Sequence, residues 1–283
     1  MKKRFPWNDR FFALAAWMTF VGLSSCYKEF SENYGEEEII VENAALGVHE
    51  ADDALEVAYY AQAIQKTING GRKAATACGV TADDPVNKII TIDFGDTDCL
   101  GLFSRQRRGK ILVNYTTQLA DSLSDKTVTF ENYVVNGKKV EGTVILHDIS
   151  FSADSIQSAT RTLVDLRVEF PNGSAITFNG SHSRAWTSGL ADSIIRNNVY
   201  RYEGSITGAS SGGRTFKQDI TTPVVANFYC ASQGFFARTT GVVELSHLQD
   251  YPVRKRTADY GNSTCDKSIS VETFRRTYGV GAN

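Results

Sequence analysis

Val128-Thr129-Phe130-Glu131-Asn132-Tyr133-Val134-Val135-Asn136-Gly137-Lys138-Lys139-Val140-Glu141-Gly142-Thr143-Val144 reads as a strand, a two-residue turn and a second strand. Val128, Phe130 and Val134 alternate with polar or amphipathic residues, the period of a sheet buried on one face. Asn-Gly supplies the positive φ that a tight hairpin turn requires. The unit recurs: Val164, Leu166, Val168 and Phe170 alternate before Asn172-Gly173, and Ser211-Gly212-Gly213 is a third turn signal. The spacers recur as well, since Ala120-Asp121-Ser122-Leu123, Ala153-Asp154-Ser155-Ile156 and Ala191-Asp192-Ser193-Ile194 stand 33 and 38 residues apart. Two strands separate successive copies, so the Ala-Asp-Ser loops are expected at one end of the sheet and the Gly turns at the other. After about Lys88 the chain keeps this Val-, Ile-, Thr-, Phe- and Tyr-rich character. The fold class is therefore all-β, an antiparallel meander or sandwich of repeated hairpins with one N-terminal helix.

That helix is expected from about His49 to Ile68, where Ala54, Val57, Ala58, Ala61, Ile64 and Ile68 fall at helical spacing and Asn69-Gly70-Gly71 forms a stop. A helix lying on a membrane surface carries Lys and Arg on its polar face. This one carries Glu50, Asp52, Asp53 and Glu56, so its apolar stripe is expected to pack on the domain.

The chain begins with Lys2, Lys3, Arg4 and Arg10, then an apolar run from Phe11 to Gly22, then Leu23-Ser24-Ser25-Cys26. The run is too short to span a bilayer as a permanent helix, and small residues before Cys26 fit a lipoprotein processing site. Cys26 is thus the expected lipidation site, and the partner it implies is a membrane reached through that lipid. The expected organisation is a signal peptide over 1–25, an acidic tether over 26–43 containing Glu36-Glu37-Glu38, and a β-rich domain with its helix over 44–283. Without residues 1–25 the chain has 26 basic and 31 acidic residues, a net charge of −5, which lacks the basic footprint of a nucleic-acid binder.

Cys78, Cys99, Cys230 and Cys265 remain, an even number that suits two disulfides in an exported chain. Neither their spacing nor that of His49, His147, His182 and His247 matches a zinc site, so no metal and no cofactor is expected. Asp93-Phe94-Gly95-Asp96-Thr97-Asp98-Cys99 parallels Asp259-Tyr260-Gly261-Asn262-Ser263-Thr264-Cys265. Both motifs are expected at the Asn-Gly end of the sheet. Of three possible connectivities, Cys78 with Cys99 and Cys230 with Cys265 is the favoured one.

Candidate chemistry is sparse. Gly208-Ala209-Ser210-Ser211-Gly212 fits a nucleophile elbow, but a strand rather than a helix follows it, so it reads as a hairpin turn. Asp93, Asp96 and Asp98 lack the loop of a calcium-binding hand and read as turn residues. Arg105, Arg107, Arg108 and Lys110, with Arg254, Lys255 and Arg256, would form an anionic-ligand surface if both groups reached one end of the sheet. Trp186 beside His182 and Arg184 is either a sugar-stacking surface or core. Ser122, Ser155 and Ser193 are candidate glycosylation sites, because Asp-Ser followed by Leu or Ile resembles the acceptor pattern of exported Bacteroidota proteins.

Ile90-Thr91-Ile92-Asp93-Phe94-Gly95 with Cys99, Arg108-Gly109-Lys110-Ile111, Phe130-Glu131-Asn132-Tyr133 with Val140-Glu141-Gly142-Thr143, and Asp259-Tyr260-Gly261 with Cys265-Asp266 carry a resemblance. In content and order they resemble a family of Bacteroidota lipoproteins of uncharacterised function. The resemblance implies an exported, β-rich protein and supplies no catalytic residue. Where such relatives often have Asp-Gly-Arg after the first motif's cysteine, this chain has Leu100-Gly101-Leu102-Phe103-Ser104-Arg105. The expected function is that of a lipid-anchored protein of the outer membrane, on its periplasmic or surface face. Its role there is structural or in binding a glycan or another envelope component. A hydrolase using two dispersed carboxylates in a cleft is the alternative.

Overall fold

The computed structural model describes residues 35–68, 73–76, 78–117, 123–154, 156–190, 194–247, 256–273 and 276–281. Cys26, Ser122, Ser155, Ser193, Arg254 and Lys255 lie outside these residues. Residues 1–40 and 41–283 form two units, and the second contains the whole sheet. Helix α1, His49–Thr67, is followed among the described residues by β1 Lys73–Ala75, β2 Val80–Asp84, β3 Ile89–Asp93, the two-residue β4 Cys99–Leu100, and β5 Gln106–Tyr115. Then come the long strands β6 Lys126–Val135, β7 Lys138–Phe151, β8 Gln157–Glu169, β9 Ala175–Ser188, β10 Val199–Ser210 and β11 Thr215–Asn227. The short helix α2, Phe228–Ser232, leads into β12 Arg238–His247, β13 Arg256–Asn262, β14 Ser268–Glu272 and β15 Thr277–Gly281.

The strands form one antiparallel sheet in sequence order, with β3 paired directly to β5 and β4 clipped onto the start of β5. The meander expected from the hairpin repeats is what forms. Val135 faces Lys138 across Asn136-Gly137, and both turn residues have positive φ, at 46° and 74°. The β8–β9 and β10–β11 turns lie at the same end, while the Tyr115–Lys126, Phe151–Gln157 and Ser188–Val199 pairs mark the opposite end.

The two cysteine motifs do not share an end. Asp93 pairs with Lys110 near the Asn-Gly turn, whereas β13 finishes at Asn262 opposite Thr240, beside the β11–β12 connection. Nine strands, β5 to β13, run between the motifs, and an odd number reverses the end. The disulfides are nonetheless Cys78–Cys99 and Cys230–Cys265, with Cα separations of 5.5 and 5.2 Å. Each clasps neighbouring connections at its own end: β1–β2 to the segment before β5, and α2 to the segment after β13. Cys78 and Cys99 are 21 residues apart, so replacing both by Ala is expected to cost roughly 3 kcal/mol in the chain-entropy account, read as a lower urea midpoint.

Paired bulges let the sheet curve. Gly109 (φ 80°) faces Asn132 (φ 51°), and Gly142 (φ 99°) faces Asp165 (φ 46°), each at a shift in register. A Cβ on either glycine would lie 2.2 Å from the opposing carbonyl oxygen, so only glycine permits these bends. The sheet curls around α1. Thr81 of β2, Arg107 of β5, Arg161 of β8, Tyr200 of β10 and Arg238 of β12 all reach that helix or its side chains.

Two expectations about the helix are corrected by this enclosure. Residues 35–47 are helical too, so residues 35–43 are not an extended acidic tether. Val41, Ala44, Ala45 and Val48 continue the apolar stripe of α1 toward the N-terminus and are buried. Second, α1 does not pack by one stripe, because every residue from Glu50 to Ala58 is buried. Alanines at 51, 54, 58 and 61 let strands approach closely on several sides.

The outer face is charged. Lys110–Asp93, Lys139–Glu141, Arg167–Glu169 and Lys217–Asp219 are ion pairs among half-exposed side chains on the strands. A lipid-facing barrel excludes such charges from its midplane at roughly 2–4 kcal/mol for each Lys or Arg, so this face suits water. Among the described residues no helix is long and apolar enough to cross a membrane.

A candidate ligand cleft against a buried ionic core

The acidic residues of α1 are buried in ion pairs. Glu50 accepts two hydrogen bonds from Arg105 Nη2, at 2.7 and 2.9 Å, with Lys138 Nζ at 3.4 Å. Asp53 takes a two-point contact from Arg107 Nη2, at 2.7 and 2.9 Å, and lies 3.1 Å from Arg105 Nη1. Asp52 is shared: Arg161 donates to Oδ1, while Arg238 donates twice to Oδ2, at 2.8 and 2.9 Å. Burial alone would raise these carboxyls. The guanidinium groups outweigh it, holding Glu50 and Asp52 below their ordinary range and Asp53 down to about 2.

Further along the helix Glu56 differs. It accepts from Asn198 Nδ2 and from the Tyr200 hydroxyl at 2.8 Å, without a guanidinium in contact, and burial pushes its carboxyl up to about 7. Two imidazoles stay neutral in the same interior. His49 is pushed down to about 4 by burial and by Arg105. His182 is held well below its ordinary value by burial and by Arg161, whose Nη2 lies 2.6 Å from Nδ1; that nitrogen accepts, leaving the ring proton on Nε2.

The basic surface expected from the sequence is therefore divided by the pleat of β5. Arg105 and Arg107 turn inward to the helix, while Arg108 pairs with Asp98 and Lys110 with Asp93 outside. Arg256 is buried on β13. These residues do not make one anion-binding face. Trp186, His182 and Arg184 are also interior, with Trp186 packed between Tyr59 and Tyr200 and Arg184 stacked 3.7 Å from the Tyr200 ring centre. Gly208–Gly212 closes the β10–β11 hairpin.

What sequence reasoning missed is the pairing of the helical acids with strand arginines. A signal existed. Arg161 sits between Ala159 and Leu163 at an inward position of β8. A cation on the core side of an alternating strand demands a buried partner, and α1 carries four acids within seven residues, Glu50 to Glu56.

A cleft of about 610 Å³ opens beside the second half of α1. Val57 and Ala61 from the helix, with Ile92 and Phe94 from the β3 side, give it an apolar wall. One lip is the segment from Leu100 to Ser104; the other joins Ile194–Arg196 to Ser232 of α2. Phe103 packs on Phe228 across the lips at 5.3 Å between ring centres. The first lip is held from within: Arg107, fixed by Asp53, donates through Nη1 to the Leu102 carbonyl at 2.6 Å. Phe103 and Ser104 there have φ of 60° and 55°, a left-handed pair that such anchoring sustains. A disulfide stands behind each lip, Cys78–Cys99 behind the first and Cys230–Cys265 behind α2.

Among the described residues the lining contains no carboxylate, imidazole or free thiol. Fold and cleft together define an antiparallel sheet wrapped on a helix, with a preformed, largely apolar cavity of ligand size. Comparison with protein-family models, curated proteins and solved structures finds no match.

Proposed function

We propose that the protein is a lipid-anchored envelope lipoprotein, of the Bacteroidota type that its motifs resemble, and that it binds a ligand in this cleft rather than catalysing a reaction. The observation that carries the reading is the cleft itself: of ligand size, mostly apolar, and held open by two disulfides and an ion pair from the helix. A preformed cavity avoids the ordering cost that weakens binding to mobile surfaces. The lining favours an apolar molecule over a glycan, because Val57, Ala61, Ile92, Phe94 and Leu102 supply most of its surface and a glycan's hydroxyls would lose water against them.

The anchor and the cleft are tested separately. Cys26→Ala is expected to move the protein from the detergent phase to the aqueous phase in phase partitioning; equal partitioning of variant and wild type would remove the lipid from the account. A thermal-shift screen of the Cys26→Ala chain with apolar ligands and with oligosaccharides tests the cleft. Apolar ligands should raise the melting temperature and Ile195→Trp, which projects bulk from the lip, should abolish the rise. Stabilisation by oligosaccharides alone would overturn the proposal.

A further inference from the structure

We propose that the cleft takes a single-chain anionic amphiphile, an acyl chain ending in a carboxylate, with the chain along Val57, Ala61 and Ile92 and the carboxylate at Arg196. The inference rests on reading the cleft as a binding site and adds the chemistry of the occupant.

Charge complementarity is the first argument. Among the described residues two charged side chains line the cavity, Arg107 and Arg196, and both are cations. Arg107 is engaged: Nη2 meets both oxygens of Asp53, Nε donates to the Tyr133 hydroxyl at 3.1 Å, and Nη1 donates to the Leu102 carbonyl. It builds the wall and has little left for a ligand. Arg196 is exposed on the opposite lip and forms no ion pair among the described residues. A cation at the mouth of an apolar cavity, with no acid among the described lining residues, selects a molecule that is apolar along its length and negative at one end.

The mouth gives the second argument. Leu100 is 62% exposed and Ile194 is 44% exposed, large apolar side chains left in water on the two lips. They stand next to the cavity rather than scattered over the sheet. A chain passing between them would cover both, and Arg196 lies two residues beyond Ile194, where the polar end would emerge. A second copy or a partner protein would cover the lips without filling the cavity behind them. The volume of about 610 Å³ falls in the range of roughly 300–1,000 Å³ usual for one small molecule.

The test compares palmitate with hexadecanol, equal in chain and different in charge, binding to the full chain carrying Cys26→Ala in detergent-free, low-salt buffer by equilibrium dialysis. Palmitate should bind about fivefold more tightly, the worth of one exposed ion pair. Arg196→Gln, at an exposed position, should remove that preference and leave hexadecanol unchanged, and added salt should mimic the substitution. Equal binding of acid and alcohol to wild type, or a preference that survives Arg196→Gln, overturns the inference while leaving the cleft a binding site. Binding of neither, or undiminished binding of both to a folded Ile195→Trp variant, overturns the cleft reading as well. Co-sedimentation with phosphatidylglycerol vesicles that depends on Arg196 and is not competed by palmitate would assign Arg196 to a membrane headgroup instead, and would also overturn it.

Discussion

Asp52→Ala is expected to leave the domain unfolded at room temperature, or to cost at least about 5 kcal/mol where a folded fraction survives. Asp52 is fully buried and is the shared partner of Arg161 on β8 and Arg238 on β12, strands brought to it from well-separated places in the sheet. Removing one partner of a buried pair costs about 3–5 kcal/mol because a desolvated charge remains. Here one truncation strands two guanidinium groups. The total stability of a domain is about 5–15 kcal/mol, so the loss is comparable with the whole. Urea unfolding followed by circular dichroism measures it. The triple variant Asp52→Leu, Arg161→Met, Arg238→Met should recover most of the loss, since exchanging a complete ionic group for apolar side chains is often neutral or better. A single variant within about 1 kcal/mol of wild type would refute this account of the core.

The acids also fix the helix inside the sheet. Glu50 meets Lys138 of β7, Asp52 meets β8 and β12, Asp53 meets Arg107 of β5, and Glu56 meets Tyr200 of β10. An enclosed helix faces apolar side chains all round and could rotate or slide at little cost. Four acids with different strand partners make each displaced setting unsatisfied, a role attested for buried polar groups that set register.

The strands were legible because their signal is local. Asn136-Gly137 demands positive φ, and Val128, Phe130 and Val134 show which face is buried. Chain order then sufficed, since each strand pairs with its neighbour in sequence. The disulfide pairs were legible from their motifs, but the ends at which they sit depend on a strand count that the short strands and α2 obscured. The helix was legible as a helix and misread in its surroundings. Alternation shows one buried face of a strand; it does not show that the sheet curls around a helix and makes an acidic stripe interior. The cleft was illegible for the same reason, because Leu100–Ser104, Ile194–Arg196 and Val57 meet only through that curvature.

Glu56→Gln is expected to stabilise the protein by roughly 3–4 kcal/mol above pH 7 and to leave it nearly unchanged below pH 4.5. The carboxyl is pushed up from an ordinary 4.5 to about 7, and each unit is worth about 1.4 kcal/mol. A raised folded value means that the folded state holds the proton more tightly than the unfolded chain. The contribution is complete below pH 4.5 and is lost as pH rises to 7. The groups around Glu56 give this direction: Asn198 and Tyr200 donate to it, Arg184 and Asp53 act at longer range with opposite signs, and burial outweighs the rest. Gln keeps the shape and the acceptor without acquiring the charge, so it stands in for the protonated acid. The wild-type curve alone would hide the effect. His49, pushed down to about 4, gains stability over pH 4 to 6.5, and His182 tilts the curve the same way. Glu50, Asp52 and Asp53, held low, stabilise above their unfolded values and lose that contribution as pH falls through their lowered folded values, about 2 for Asp53. The difference between variant and wild type cancels these shared slopes and leaves Glu56. Urea midpoints at half-unit steps from pH 4 to 9 should therefore give a difference that climbs between 4.5 and 7 and is level on either side. A difference that does not change with pH would show that Glu56 is ionised throughout that interval, and the buried neutral carboxyl would have to be abandoned.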